Sequence, residues 1–139
     1  MKPYLHSISS AKKFGGNPDD YMPIHQWFDD TKAHCPDNRH RAIRHHSQGI
    51  FWCEEVFGIV ITNSDNKQVS VRDIGEQHVL EDLGWIPTMM DYLCHLEIEE
   101  WMYAKNNLKP SINKVEPSPE YGLPSAFDFY SLTNPIVSD

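Results

Sequence analysis

The sequence predicts a single, mainly helical α+β domain of about five helices, with one β-hairpin inserted between the third and fourth. Three observations carry this expectation. Apolar residues recur at helical spacing through two long stretches, with Tyr21, Ile24, Phe28 and Thr31 on one face and Ile43, His46, Ile50, Cys53 and Phe57 on another. Between them and the next helix the period changes, because Ile59-Val60-Ile61-Thr62 and Gln68-Val69-Ser70-Val71 are β-branched runs around a polar turn. Glycines and capping residues punctuate the remainder.

Taken in order, His6 to Phe14 reads as a first helix stopped by Gly15-Gly16. Asn17-Pro18-Asp19-Asp20 opens a second, with acids at its positive end, that runs to about Ala33 or His34 and breaks before Pro36. Asp37-Asn38 caps a third that continues without interruption to Gly58. Asp73 and Glu76 form a capping box for a fourth, ended by Gly84. Thr88 caps a fifth that reaches about Leu96, with Trp101 and Tyr103 as its furthest extension. The helical domain is thus residues 1–104, with the hairpin at 59–72. Residues 105–139 are rich in proline, lack periodicity, and read as an extended or disordered tail whose aromatics Tyr121, Phe127, Phe129 and Tyr130 suit docking.

The chain has 139 residues, which favours one domain large enough to fold without staples. A net charge of −8 disfavours general nucleic-acid binding, and no apolar run approaches membrane-spanning length. The three cysteines are odd in number, contain no CxxC, and follow no signal peptide, so the expected setting is reduced and cytoplasmic. Cys53 lies on an apolar stripe and reads as core.

Chemistry concentrates in Asn38 to Gly58, which holds Arg39, Arg41 and Arg44, then His40, His45 and His46, and then Glu54 and Glu55. His46 falls within the apolar stripe. His40, Ser47 and Glu54 follow one polar meridian, and His45 belongs to neither set. His25 precedes Asp29 by four residues and His78 precedes Asp82 by four, so each pair shares a helix face. His6 stands where it can join them. Six of the eight histidines fall between His25 and His78. The expected metal ligands are His25, His40, His46 and His78, for a divalent ion such as Zn, Mn or Ni. The competing reading makes His46 a core histidine bonded to backbone and the polar meridian a solvated face. Arg39, Arg41 and Arg44 are the expected contacts to an anionic cofactor or phosphate ester, with Glu54 or Asp82 as the catalytic proton acceptor. Alternatively the arginines neutralise the acidic fifth helix. The sequence has no His-Asp dipeptide for a helical phosphohydrolase of that type. It also has no histidine near the first strand for a ββα-metal nuclease.

The chain resembles an uncharacterised family of small proteins encoded by bacteria and their phages. The likeness rests on His-Ser-x-x-x-Ala-Lys-Lys-Phe-Gly-Gly (His6 to Gly16), Ile-His-x-Trp-Phe-Asp (Ile24 to Asp29), Arg-His-Arg-x-x-x-His-His (Arg39 to His46), and Thr62 to Gly84. It covers about residues 1 to 100 and implies no activity. The functional expectation is a His/carboxylate metal-binding, phosphohydrolase-like enzyme. The alternative is a non-catalytic interaction protein, for example a phage-encoded inhibitor that meets a host protein through its acidic surface and aromatic tail.

Overall fold

A computed structural model describes residues 1–103. The expected tail from 105 to 139 lies outside the described residues. The fold is mainly helical with one two-stranded antiparallel hairpin. The helices are α1 (Pro3–Phe14), α2 (Met22–Asp29), α3 (Arg41–Arg44), α4 (Ser47–Phe57), α5 (Val71–Leu83) and α6 (Met89–Leu93). The hairpin pairs β1 (Val60–Thr62) with β2 (Gln68–Ser70), placing Ile61 opposite Val69. Met1–Met89 form one compact unit and Met90 begins a second. The core and the site described below lie in the first.

Local chemistry explains where the elements start. Proline at the first position opens α1 earlier than expected, at Pro3. Asn17 and Asp20 make a reciprocal capping box around a short 3-10 turn, and α2 follows it. The expected box at Asp73 is displaced, because Ser70 caps α5 by accepting from the Asp73 amide at 3.3 Å and the helix starts at Val71. In the hairpin, Asn66 holds the left-handed position at φ 61°, and Asn63 Oδ1 accepts from the amides of Asp65 and Lys67.

The expected third helix is not continuous. A 3-10 turn at Asn38–His40 runs into α3, the chain breaks at His45 and His46, and α4 starts afresh. His46 is extended there (φ −162°, ψ 174°), and its ring caps α4. The break turns Ile43 outward, so it leaves the expected stripe, while Ile50 and Cys53 remain buried. The expected fifth helix is also short, ending at Leu93, with a 3-10 turn at Glu100–Met102.

The apolar core joins α2, α4, α5 and the hairpin through Tyr21, Ile24, Phe28, Ile50, Cys53, Val69, Val71, Ile74 and Val79. Gly75 lets α5 approach α2 and α4 closely, since a Cβ there would meet the Phe28 ring at 3.2 Å and Ile50 at 3.3 Å. Burial pushes the Cys53 thiol up to about 12, as expected for an inert core cysteine. Among the described residues, no helix is long and apolar enough to cross a membrane.

Candidate metal centre

A polar layer lies beside this core. Three helices each contribute two side chains four residues apart, so each pair leaves its helix on one face. These are His6 and Ser10 of α1, His25 and Asp29 of α2, and His78 and Asp82 of α5. The break before α4 adds His45, and the turn before α3 adds His40. All five histidines are buried. Phe28 separates the layer from the core, stacking on His78 with centroids 4.8 Å apart and meeting His45 edge-on at 5.8 Å.

Asp29, His45, His78 and Asp82 present one ligand atom each, all within 4.8 Å of one another. His45 Nε2 stands 3.0 Å from Asp82 Oδ2, 3.4 Å from Asp29 Oδ1 and 3.2 Å from His78 Nε2. His78 Nε2 is 3.3 Å from Asp82 Oδ2 and 3.6 Å from Asp29 Oδ1. Four ligands at about 2.1 Å from a central ion stand about 3.4 Å apart, so these five separations fit the edges of a coordination tetrahedron. His40 Nε2 lies 3.6 Å from Asp29 Oδ1 on the other side.

Among the described residues, neither Asp29 oxygen has a hydrogen-bond partner, although the residue is only 7% exposed. A buried carboxylate costs several kcal/mol unless cations or donors surround it. Burial opposes the Asp29 charge, but the imidazoles of His45 and His78 and the ammonium of Lys32 overcome it and hold the carboxyl well below its usual range. Asp82 behaves alike, with burial outweighed by His45, His6, His78 and the N-terminal ammonium. His45 shows the reverse side of the same arrangement. Burial disfavours its cation, yet Asp29 and Asp82 raise its pKa above the ordinary imidazole value. The two carboxylates thus create a site for positive charge, which a metal ion would supply more strongly than a proton.

A chain of hydrogen bonds orients His78. Gln77 Nε2 donates to the His6 carbonyl and to Glu81, which leaves Gln77 Oε1 as the acceptor for the Ser10 hydroxyl at 2.8 Å. The Ser10 oxygen therefore accepts from His25 Nε2 at 2.7 Å. His25 Nδ1 is then the bare nitrogen and accepts from His78 Nδ1 at 3.0 Å. His78 is left with its Nε2 lone pair directed at the group, as a ligand requires. His40 is fixed in the same sense, because its Nδ1 donates to the Asp37 carbonyl at 2.8 Å.

The structure sorts the residues picked out from the sequence. It brings His78, Asp82 and His40 to the group. His25 lies behind His78 as its hydrogen-bond partner. His46 is placed elsewhere, with Nδ1 accepting from the Gly49 amide at 2.9 Å and Nε2 facing the carbonyls of Ala42 and Ile43 at 3.1 and 3.0 Å. Both ring nitrogens are therefore committed to backbone. Glu54 pairs with Arg72 at 3.1 Å, beside a pocket also lined by Ser47, Phe51 and Glu76. Arg39 closes on Asp37 at 2.6 Å. Arg44 lies 4.2 Å over the Trp27 ring and bonds the Trp27 carbonyl. Arg41 has a buried Nε with no hydrogen-bond partner. Spacing alone left out His45, whose role depends on the helix break. Asp29 was legible as the partner of His25.

The layer has a pH signature. Burial, reinforced by repulsion from His78 and His6, lowers His25 to about 2. The unfolded imidazole binds a proton below about pH 6.5 while the native one stays neutral, so stability falls with decreasing pH by up to about 1.4 kcal/mol per unit. His45 has a raised pKa, and its contribution is already complete below the unfolded value, so it is flat in this window. Asp29 and Asp82 begin to lose their contribution only below about pH 4. Urea unfolding in EDTA should therefore show a midpoint that drops between pH 6.5 and 4.5, with a shallower drop in His25→Asn. Equal slopes in the two proteins would remove His25 as the cause.

These features define a small, mainly helical α+β domain built around a buried group of imidazoles and carboxylates. Residues 1–102 match the sequence family described as a domain of unknown function (DUF6915), and the chain belongs to that family. No curated protein and no solved structure shows significant similarity to it.

Proposed function

We propose that the chain is a divalent-metal protein in which Asp29, His45, His78 and Asp82 hold one ion, and that the ion serves hydrolysis of a phosphate ester. The observation that carries the metal reading is the convergence of four buried ligand atoms from α2, the α3–α4 break and α5. Two carboxylates and two imidazoles without thiolate suit first-row transition ions such as Zn, Mn or Ni better than Ca or Mg. A bound ion would lower the pKa of coordinated water and polarise a phosphoryl oxygen. Arg41, flanked by His40 and four residues before His45, supports the phosphate part, because its buried Nε has no hydrogen-bond partner.

Elemental analysis of untagged protein, purified without chelator, tests the metal reading. About one equivalent or more of a transition metal is expected. Less than about a tenth of an equivalent, with no rise in melting temperature on adding Zn, Mn or Ni, would overturn it.

An interaction protein is the second reading. It is favoured by apolar side chains that α4 and the following residues leave in solvent: Phe51 at 56% exposed, Val56 at 58% and Ile59 at 73%. A metal-free protein whose capture of a partner depends on residues 105–139 would favour it.

A further inference from the structure

We infer that the centre is dinuclear: a second divalent ion is held by His6 Nε2 and Asp82 Oδ1, with the Asp82 carboxylate bridging the two ions. This rests on the reading that Asp29, His45, His78 and Asp82 hold the first.

Asp82 turns its two oxygens to different partners. Oδ2 faces His45 and His78 at 3.0 and 3.3 Å, whereas Oδ1 stands 3.2 Å from His6 Nε2. The side chain is 2% exposed, so neither oxygen relies on bulk water. A carboxylate with one oxygen on each of two ligand sets is the usual bridge of a two-metal site, where the ions stand about 3.5–4 Å apart.

His6 is oriented as a ligand. It is fully buried, and its Nδ1 donates to Glu81 Oε1 at 2.7 Å. Glu81 is itself held by Ser9 and by Gln77. A carboxylate accepting from one ring nitrogen leaves the lone pair on the other, the arrangement that supports metal-bound histidines. That other nitrogen, Nε2, has no hydrogen-bond partner among the described residues even though Asp82 Oδ1 is only 3.2 Å away. The two atoms are close but not aligned on each other. A separation of 3.2 Å is that of two neighbouring ligands of one ion. An unpartnered polar atom in a fully buried side chain otherwise costs about 1–3 kcal/mol.

Histidine supply points the same way. One tetrahedral ion uses His45 and His78 with the two aspartates, which leaves His6 and His40 outside its four ligands. Each of those two has its Nδ1 proton committed and a buried Nε2 without a hydrogen bond. A grouping of His6 with His25 and His78 is also close enough for an ion. It would have to break the chain from Ser10 through His25 to His78, whereas the Asp82 position leaves that chain intact. Met1 N, 2.9 Å from Asp82 Oδ1, is the group that the second ion would displace.

The test uses the full untagged chain and Mn²⁺ alone, read by equilibrium dialysis and by electron paramagnetic resonance. Wild type should bind two Mn²⁺ and give the multiline spectrum of an exchange-coupled pair. His6→Ala should bind one, with the six-line spectrum of an isolated ion. One Mn²⁺ in both proteins with unchanged affinity overturns the dinuclear centre and leaves the first site standing. One Mn²⁺ in wild type, bound more weakly by His6→Ala, also overturns it by making His6 a ligand of a single ion. No Mn²⁺ in either overturns both readings. If His6→Ala does not fold, Glu81→Gln replaces it. Loss of the orienting carboxylate should weaken only the second ion, by about tenfold or more, and equal weakening of both ions counts against the assignment.

Discussion

Gly49→Ala is expected to destabilise the protein by more than about 3 kcal/mol, although alanine is intrinsically about 1 kcal/mol better than glycine inside a helix. The sign is therefore diagnostic. A Cβ on Gly49 would fall 1.8 Å from the Arg44 carbonyl oxygen, 2.6 Å from its carbon and 2.9 Å from Arg44 Cα. All three are backbone atoms, so no side-chain rotation relieves the contact. Relief requires the first turn of α4 to move away from the end of α3, and the residues between them are His45 and His46. The same movement would lift the His46 ring from the Gly49 amide and draw His45 from Asp29 and Asp82. Urea unfolding measures the loss, and the variant should show little or none of the wild-type response to added metal. A loss below about 1 kcal/mol would mean that the close approach is not a constraint in solution.

The second large effect belongs to Asp29→Ala. For an ion present at about a thousand times its dissociation constant, wild-type stability should rise by about 4 kcal/mol, which for a domain of this size is about 14 °C in melting temperature. Asp29→Ala should abolish that shift, because it removes a buried carboxylate of the proposed site that has no hydrogen bond among the described residues. The matched control is Asp37→Ala. That carboxylate is half exposed and engaged with Arg39, so its removal should leave the shift intact. Full stabilisation of Asp29→Ala by Zn, Mn and Ni would remove Asp29 from the site.

Much of this was legible in the sequence. His25 with Asp29 and His78 with Asp82 were readable as pairs because four-residue spacing fixes a shared helix face whatever the tertiary context. The hairpin was readable because β-branched runs flank Asn63 to Lys67, and Asn66 tolerates the left-handed turn position. The position of His45 was not readable, since it depends on a break that helical periodicity hides. Ile43, His46, Ile50 and Cys53 keep the right spacing for one continuous stripe, and only tertiary contacts oppose it. The Ser47 amide bonds the Pro87 carbonyl at 2.8 Å, forty residues along the chain, and Gly49 admits the Arg44 backbone. The partners of Arg44 and Glu54 were hidden for a similar reason. Arg44 finds Trp27 on another helix, and Glu54 finds Arg72, partners that no local spacing announces.

The chain from Gln77 through Ser10 and His25 to His78 also bears on the order of assembly. Ser10 and Gln77 are 67 residues apart in sequence, and their bond forms only when α1 lies against α5. Before that docking, His78 is free to carry its proton on either nitrogen, and α5 does not yet offer a defined donor atom. In the proposed centre, competence to capture an ion would therefore require α1 to be docked against α5. The first helix, which supplies none of the four proposed ligands of the first ion, would act as the latch that completes it.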